Sequence, residues 1–360
     1  MSVVLKIIYK STLKELLVTF LLTTAFLNSI LMMEKLLRLS RLLSGVGATV
    51  YDMAKIITFL QPQLLLLTIP MSLLLSTLLV YGRMNLDSEI VILRVIGMDF
   101  KKISFPVALL GLICFASSLA VSFYLSPKGS IRLREEITKI ISMRSTFAIE
   151  EGTFNTSFKD IVILVKGKKS SDTLEDIFIY DSRSKDEPRV LMAKEGKIFM
   201  QDQFNIGMLL RNGYINITKG MITTELFFDK YQMILNIDAD SQAPKKAEST
   251  PGELLRKAEG TELPKEKTAL FLEFHRRLSL PFVCLILVIL GPSLSLMAGK
   301  SGRLGGLAIG LLVFTLYYMV LIYGENLVLA GKLVHYAGAW TATVILGVLS
   351  IILFRRKNSA

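Results

Sequence analysis

Six uncharged apolar runs, grouped three and three around one polar stretch of about 140 residues, constrain this chain more than any other feature. They are Leu16–Met33, Ile56–Gly82, Ile103–Pro127, Leu278–Gly299, Leu304–Gly324 and Leu333–Phe354. Each is close to the ~20 apolar residues that carry a helix across ~30 Å of hydrocarbon. Backbone entering lipid must satisfy its own hydrogen bonds, so the runs predict membrane helices. The intervening segment, about 128–270, is polar enough to fold in water. The predicted fold class is a polytopic α-helical membrane protein, 3+3, with an inserted all-β domain. Residues 1–127 carry helices one to three, 128–270 the insert with helical or linker flanks, and 271–360 helices four to six.

Charge supports that division. The insert holds 23 Lys/Arg against 22 Asp/Glu, whereas the rest holds 19 basic against 8 acidic residues. A nucleic-acid binder would carry its basic stripe on the soluble part. Here the excess lies beside the apolar runs. Loop Lys/Arg bias orients membrane proteins. With the N-terminus inside, Lys6, Lys10, Lys14, Arg83, Arg94, Lys101, Lys102, Lys300, Arg303, Arg355, Arg356 and Lys357 are cytoplasmic, against Lys35, Arg38, Arg41, Lys55 and Lys332 in the opposite short loops. Both termini are therefore expected in the cytoplasm and the insert in a bacterial periplasm. No cleavable signal peptide is expected, because the first run is too long. Both cysteines, Cys114 and Cys284, fall in apolar runs and are expected to serve packing.

Within the insert, short Ile/Val/Phe/Tyr-rich runs predict strands at Ile161–Lys166, Leu174–Tyr180, Arg189–Ala193, Gly196–Met200, Ile206–Arg211, Tyr214–Thr218, Thr223–Phe228 and Tyr231–Ile237. Their regular spacing points to a sandwich or jelly roll. Ile131–Arg144 reads as an outward continuation of helix three. Ser249-Thr250-Pro251 is a helix-start signature, predicting a short helix over Gly252–Glu259 inside a hinge or linker from Asp238 to Lys267.

Catalytic signatures are sparse. Gly299-Lys300-Ser301 lacks the earlier glycine of a phosphate loop, since Leu294 stands there. No metal-ligand spacing and no nucleophile elbow occur, and the apolar runs hold no carboxylate. For an envelope-lipid-modifying enzyme, the alternative reading, only His275 with Glu273 comes near a catalytic pair.

Four stretches resemble a known family. Asp87-Ser88-Glu89-Ile90-Val91-Ile92-Leu93-Arg94-Val95-Ile96-Gly97 is similar to the coupling segment of the LptF/LptG (YjgP/YjgQ) permeases of lipopolysaccharide export. Glu273-Phe274-His275-Arg276-Arg277-Leu278-Ser279-Leu280-Pro281 and Tyr317-Tyr318…Gly324-Glu325-Asn326 resemble the LptF branch more than the LptG branch, and Glu151-Gly152-Thr153-Phe154 resembles the start of the family's periplasmic domain.

The resemblance implies a non-catalytic permease subunit in the inner membrane, partnered by an LptB-like ATPase dimer, an LptG-like permease and an LptC-like periplasmic bridge. It implies lipopolysaccharide as cargo, no cofactor on this chain, ATP and Mg on the ATPase, and a periplasmic jelly roll. Asp87, Ser88, Glu89, Val91, Ile92, Arg94, Val95 and Gly97, in a helix over about 84–98, would couple to the ATPase: Glu89 as a charge, Val91, Ile92 and Val95 as apolar contact, Gly97 as the stop. An ordinary amphipathic connecting helix is the alternative. Lys35, Arg38, Arg41, Arg132, Arg134, Arg276 and Arg277 would hold lipid phosphate; interfacial snorkelling and pairing with Glu135 and Glu136 are the competing readings. Phe154, Ile163, Phe178, Met208 and Phe227 would sheath acyl chains, or form core. Gly305, Gly306, Ala308 and Gly310 would let helices approach closely in lipid. Another ABC-type lipid or lipoprotein exporter remains a second alternative, disfavoured by the 3+3 split.

Overall fold

The computed structural model describes residues 2–44, 49–144, 151–158, 160–170, 173–184, 188–202, 205–219, 222–236, 245–298 and 302–358. Its helices are α1 (Ser2–Ser44), α2 (Val50–Leu86), α3 (Glu89–Val95), α4 (Phe100–Ile103), α5 (Phe105–Ala120), α6 (Ser126–Arg144), α7 (Lys245–Glu248), α8 (Pro251–Gly260), α9 (Pro264–Ala298), α10 (Gly302–Leu329) and α11 (His335–Asn358). A π-helical turn, Val121–Leu125, joins α5 to α6. Its strands are β1 (Phe154–Phe158), β2 (Ile161–Ser170), β3 (Thr173–Asp181), β4 (Arg189–Asp202), β5 (Asn205–Lys219) and β6 (Ile222–Asn236).

Six stretches are long and apolar enough to span a membrane: Lys6–Leu37, Val50–Leu86, Phe105–Ile137, Pro264–Leu296, Gly305–Leu329 and His335–Arg356. They outrun the apolar runs at several ends and so take in carboxylates, Glu15, Glu34, Glu136, Glu273 and Glu325 among them. The runs lack carboxylates; the helices do not.

The chain divides into two compact units. The first comprises Met1–Met33, Leu60–Ser130 and Pro244–Ala360. Leu73, Leu74, Leu78 and Tyr81 of α2 pack with Val107, Leu110 and Cys114 of α5, Val283, Cys284 and Leu287 of α9, and Leu321 and Leu346 of α10 and α11. Small residues set these approaches. A Cβ on Gly310 would lie 2.7 Å from Leu75 and 2.8 Å from Leu78, and one on Gly306 would lie 3.6 Å from the Leu78 carbonyl. Four residues apart, these glycines share one face of α10 and let α2 lie close. Both cysteines are free and buried.

In the same unit, the expected hinge is a docked motif. Thr250 and Glu253 form a reciprocal capping box at the start of α8. Leu254 and Ala258, one turn apart, are fully buried against Leu270, Phe271 and Phe274 of α9. The linker reading of 238–267 is therefore corrected for its described part, 245–267: apolar burial and capping fix it to α9.

The second unit, Glu34–Phe59 and Ile131–Ala243, contains the β domain. Its six strands form one antiparallel sheet in the order β1-β2-β3-β4-β5-β6, a meander rather than a crossed-over topology. The three pairs of short strands expected from 189 to 237 are the long strands β4, β5 and β6. The breaks between them are a crease. At one level the ladders skip Lys166, Asp176, Lys194, Asn212 and Asp229 in turn. Asp176 and Asn212 there take left-handed φ of 50° and 51°. One odd residue per strand shifts the alternation, so Ile177, Ala193 and Ile215 before the crease and Leu174, Ile198 and Met208 beyond it share one buried cluster. The sheet folds back along this line. Arg183, after β3, donates from Nη1 to the carbonyl of Ile234 in β6, three strands away in the sheet, at 3.0 Å. In this unit, too, Lys55 of α2 pairs with Glu136 of α6 at 3.0 Å.

Candidate functional site

The strongest candidate lies at the end of α2 and on α3. Ser88 starts α3 with a left-handed φ of 58°, which turns the chain sharply out of α2. Gly97, at φ 88°, ends it: Gly97 N–H donates to Arg94 O and Met98 N–H to Leu93 O, the paired bonds of a Schellman stop. Ile90 is the residue of α3 that enters the core, at 1% exposure. Val91, Ile92, Val95 and Ile96 face outward at 54, 56, 82 and 67% exposure. An ordinary connecting helix turns its apolar residues inward; this one presents four outward beside acidic groups.

Those acidic groups converge on Arg83. Its Nε and Nη2 form a two-pronged fork with Glu15 of α1, at 2.8 and 2.9 Å. Its Nη1 donates to Asp87 at 3.0 Å and to Glu89 at 2.9 Å. One guanidinium thus serves three carboxylates from α1, the end of α2 and α3, leaving a local formal charge of −2. Glu89, expected to present a charge to the ATPase, is also paired with Arg83 within the chain. Arg94 lies over the Phe100 ring, 5.3 Å from its centroid. Sequence reasoning counted Arg83 only as a loop cation. Its spacing from Asp87 is a readable i,i+4 pair; the fork with Glu15, 68 residues away, left no local signal.

Arg276 and Arg277 occupy different surroundings despite being adjacent. Arg277 is 4% exposed. It donates to the carbonyls of Ser249 at 2.5 Å, Lys246 at 2.9 Å and Ala247 at 3.0 Å, and to Glu273 at 3.1 Å. Its own carbonyl accepts from Ser122 Oγ in the π-helical turn. Its expected place in a phosphate-binding rim is corrected: its donors are spent on the end of α7 and on Glu273. Arg276 is half-exposed and lies 3.3 Å from Glu325 and 3.7 Å from Glu273. His275 and Glu273 do not form a catalytic pair either. His275 stacks on His335 with centroids 5.2 Å apart and faces Trp340, while Glu273 serves the two arginines.

Of the other expected phosphate ligands, Lys35, Arg132 and Arg134 lie in the second unit. Arg132 is exposed and Lys35 and Arg134 half-buried. The side chains of Arg38 and Arg41 lie outside the described residues, as does Gly299-Lys300-Ser301. Among the described residues no His/Cys/Asp/Glu group has the makings of a metal site.

The five residues expected to sheath lipid separate by face. Ile163 and Met208 are fully buried in the cluster on the inner face of the sheet. Phe154, Phe178 and Phe227 stand on the opposite face in a single cross-strand row: Phe154, Leu164, Phe178, Met192, Tyr214, Phe227, one from each strand. Phe154 and Phe227 are 67 and 78% exposed. The half of the sheet before the crease is therefore apolar on both faces, unlike a strand pattern with one solvated side.

Comparison with known proteins agrees with this architecture. Residues 10–356 match the family model described as lipopolysaccharide export system permease LptF/LptG. The chain is 21% identical over 299 residues, 81% of its own length and 79% of the relative's, to lipopolysaccharide export system permease protein LptF of Escherichia coli K12, and equally to that of Shigella flexneri. It is 24% identical over 189 residues to the uncharacterized protein RP871 of Rickettsia prowazekii, spanning about half (52%) of each chain.

Proposed function

The chain belongs to the lipopolysaccharide export permease LptF/LptG family, and from that premise we propose that it is the LptF-type permease subunit of an ABC transporter drawing lipopolysaccharide out of the bacterial inner membrane. Both termini then face the cytoplasm and the β domain the periplasm, as the loop charges favour. α3 is the docking element for an LptB-like ATPase, which binds ATP and Mg. The observation that carries the reading is the α3 surface: Val91, Ile92, Val95 and Ile96 turned outward beside Asp87 and Glu89. Such a surface suits a groove with an apolar floor and a basic rim.

A homologous permease pairs with this chain in the membrane. Lys35, Arg38, Arg41, Arg132, Arg134 and Arg276 offer cations for phosphorylated sugar, Arg through its planar fork. Acyl chains leave along the Phe154-to-Phe227 row toward an LptC-like bridge. Photo-crosslinkers placed singly at Val91, Val95 and Leu226 in cells test the docking assignment. Positions 91 and 95 should capture the ATPase and position 226 should not. Equal capture at 226, or none at 91 and 95, would remove the assignment.

A further inference from the structure

Arg83 is built as a junction rather than a surface ion pair. A surface pair of this kind contributes only ~0–1 kcal/mol, and one carboxylate would satisfy it. Here every guanidinium nitrogen is engaged, and the three partners sit on three separate elements. The fork to Glu15 is the strongest arrangement such groups adopt, because two parallel charge-assisted bonds fix orientation as well as distance. α1 needs such a tie. Only 6% of its most apolar stretch is buried within the chain, against 72% for α2. Leu16, beside Glu15, is the α1 residue buried in the main core cluster, at 0% exposure, with Leu13 and Phe20 packed against it. At the other arm, α3 leaves α2 through the left-handed Ser88 and is held by Ile90 in the core and by the Glu89–Arg83 pair.

We propose that Arg83 is a positioning residue that latches α3 to α1, so that a displacement of α3 is passed to α1 through the Glu89–Arg83–Glu15 chain. This rests on the reading of α3 as the ATPase-docking element. Without the latch the ATPase still docks on the outward α3 face, but its stroke no longer moves α1.

The test uses the full complex, co-expressed with its ATPase and second permease, in proteoliposomes carrying lipopolysaccharide. ATP hydrolysis and lipid release are measured together. Glu15→Gln, which opens only the α1 arm, should keep the ATPase bound and hydrolysing near the wild-type rate. Lipid released per ATP should fall about five-fold or more, the lower end of ordinary site-to-site coupling. Glu15→Asp keeps the charge and should restore most of that yield, whereas a merely supporting role would lower protein yield and hydrolysis together. Wild-type lipid per ATP in Glu15→Gln overturns the latch alone. A wild-type complex that retains no ATPase overturns the docking reading and the latch with it.

Discussion

Replacing Arg277 should release the segment that leads from the β domain back to the membrane helices. Arg277 makes four hydrogen bonds in a site where its side chain is 5% exposed: three to the carbonyls of Lys246, Ala247 and Ser249, one to Glu273. Arg277→Leu strands those carbonyls and leaves Glu273 with the more distant Arg276. Removing one member of a buried ion pair costs about 3–5 kcal/mol. The carbonyls lie at a helix end that water can reach once opened, so the lower figure applies, about 3 kcal/mol. That is roughly a hundredfold rise in the opened population. Hydrogen–deuterium exchange of the full chain in detergent reads it directly. Amides over Leu254–Ala258 should exchange about a hundredfold faster in Arg277→Leu, with α11 unchanged. Arg277→Lys keeps the charge but loses the planar fork and should fall between. Wild-type exchange over 254–258 in Arg277→Leu would refute the clamp.

Val95→Asp places a charge in the centre of the outward α3 face without touching buried Ile90; it should weaken ATPase retention by about 2 kcal/mol, some thirtyfold in a titrated pull-down. Gly310→Val drives a side chain into Leu75 and Leu78 and should cost about 1–3 kcal/mol, seen as a lowered thermal midpoint. For Asp181, burial alone would raise the carboxyl, but donation from the Arg183 guanidinium and backbone N–H outweighs it and holds the group below its ordinary value. The unfolded chain then binds more protons than the native one, so this stability is complete above about pH 4 and is lost as pH falls through the native value. Thermal scans from neutral pH down to pH 3 should show the loss, and Asp181→Asn should flatten it.

The membrane helices and the β character of the insert were legible because each follows from a local pattern. Uncharged runs report spans, and Ile/Val/Tyr alternation reports strands. The pattern also carried a fine feature: the breaks seen after Ala193, Arg211 and Phe228 are the level at which the ladders skip. They read as turns because a residue that shifts alternation looks the same in sequence whether the chain reverses or merely kinks. What stayed hidden depends on partners far along the chain. Arg277 looks like a rim cation until the α7 carbonyls, up to 31 residues away, are placed on it. α8 looks like a linker until Leu254 and Ala258 meet α9. The face of each phenylalanine in the sheet depends on register, which no single strand reveals.

The most direct test of the account is mass spectrometry of the complex purified in mild detergent from its native host. One copy of this chain should appear with one homologous six-helix permease, two copies of an ATPase and bound lipopolysaccharide, the ATPase alone being lost from Val95→Asp. A stable homo-oligomer of this chain, free of both ATPase and lipopolysaccharide, would contradict it.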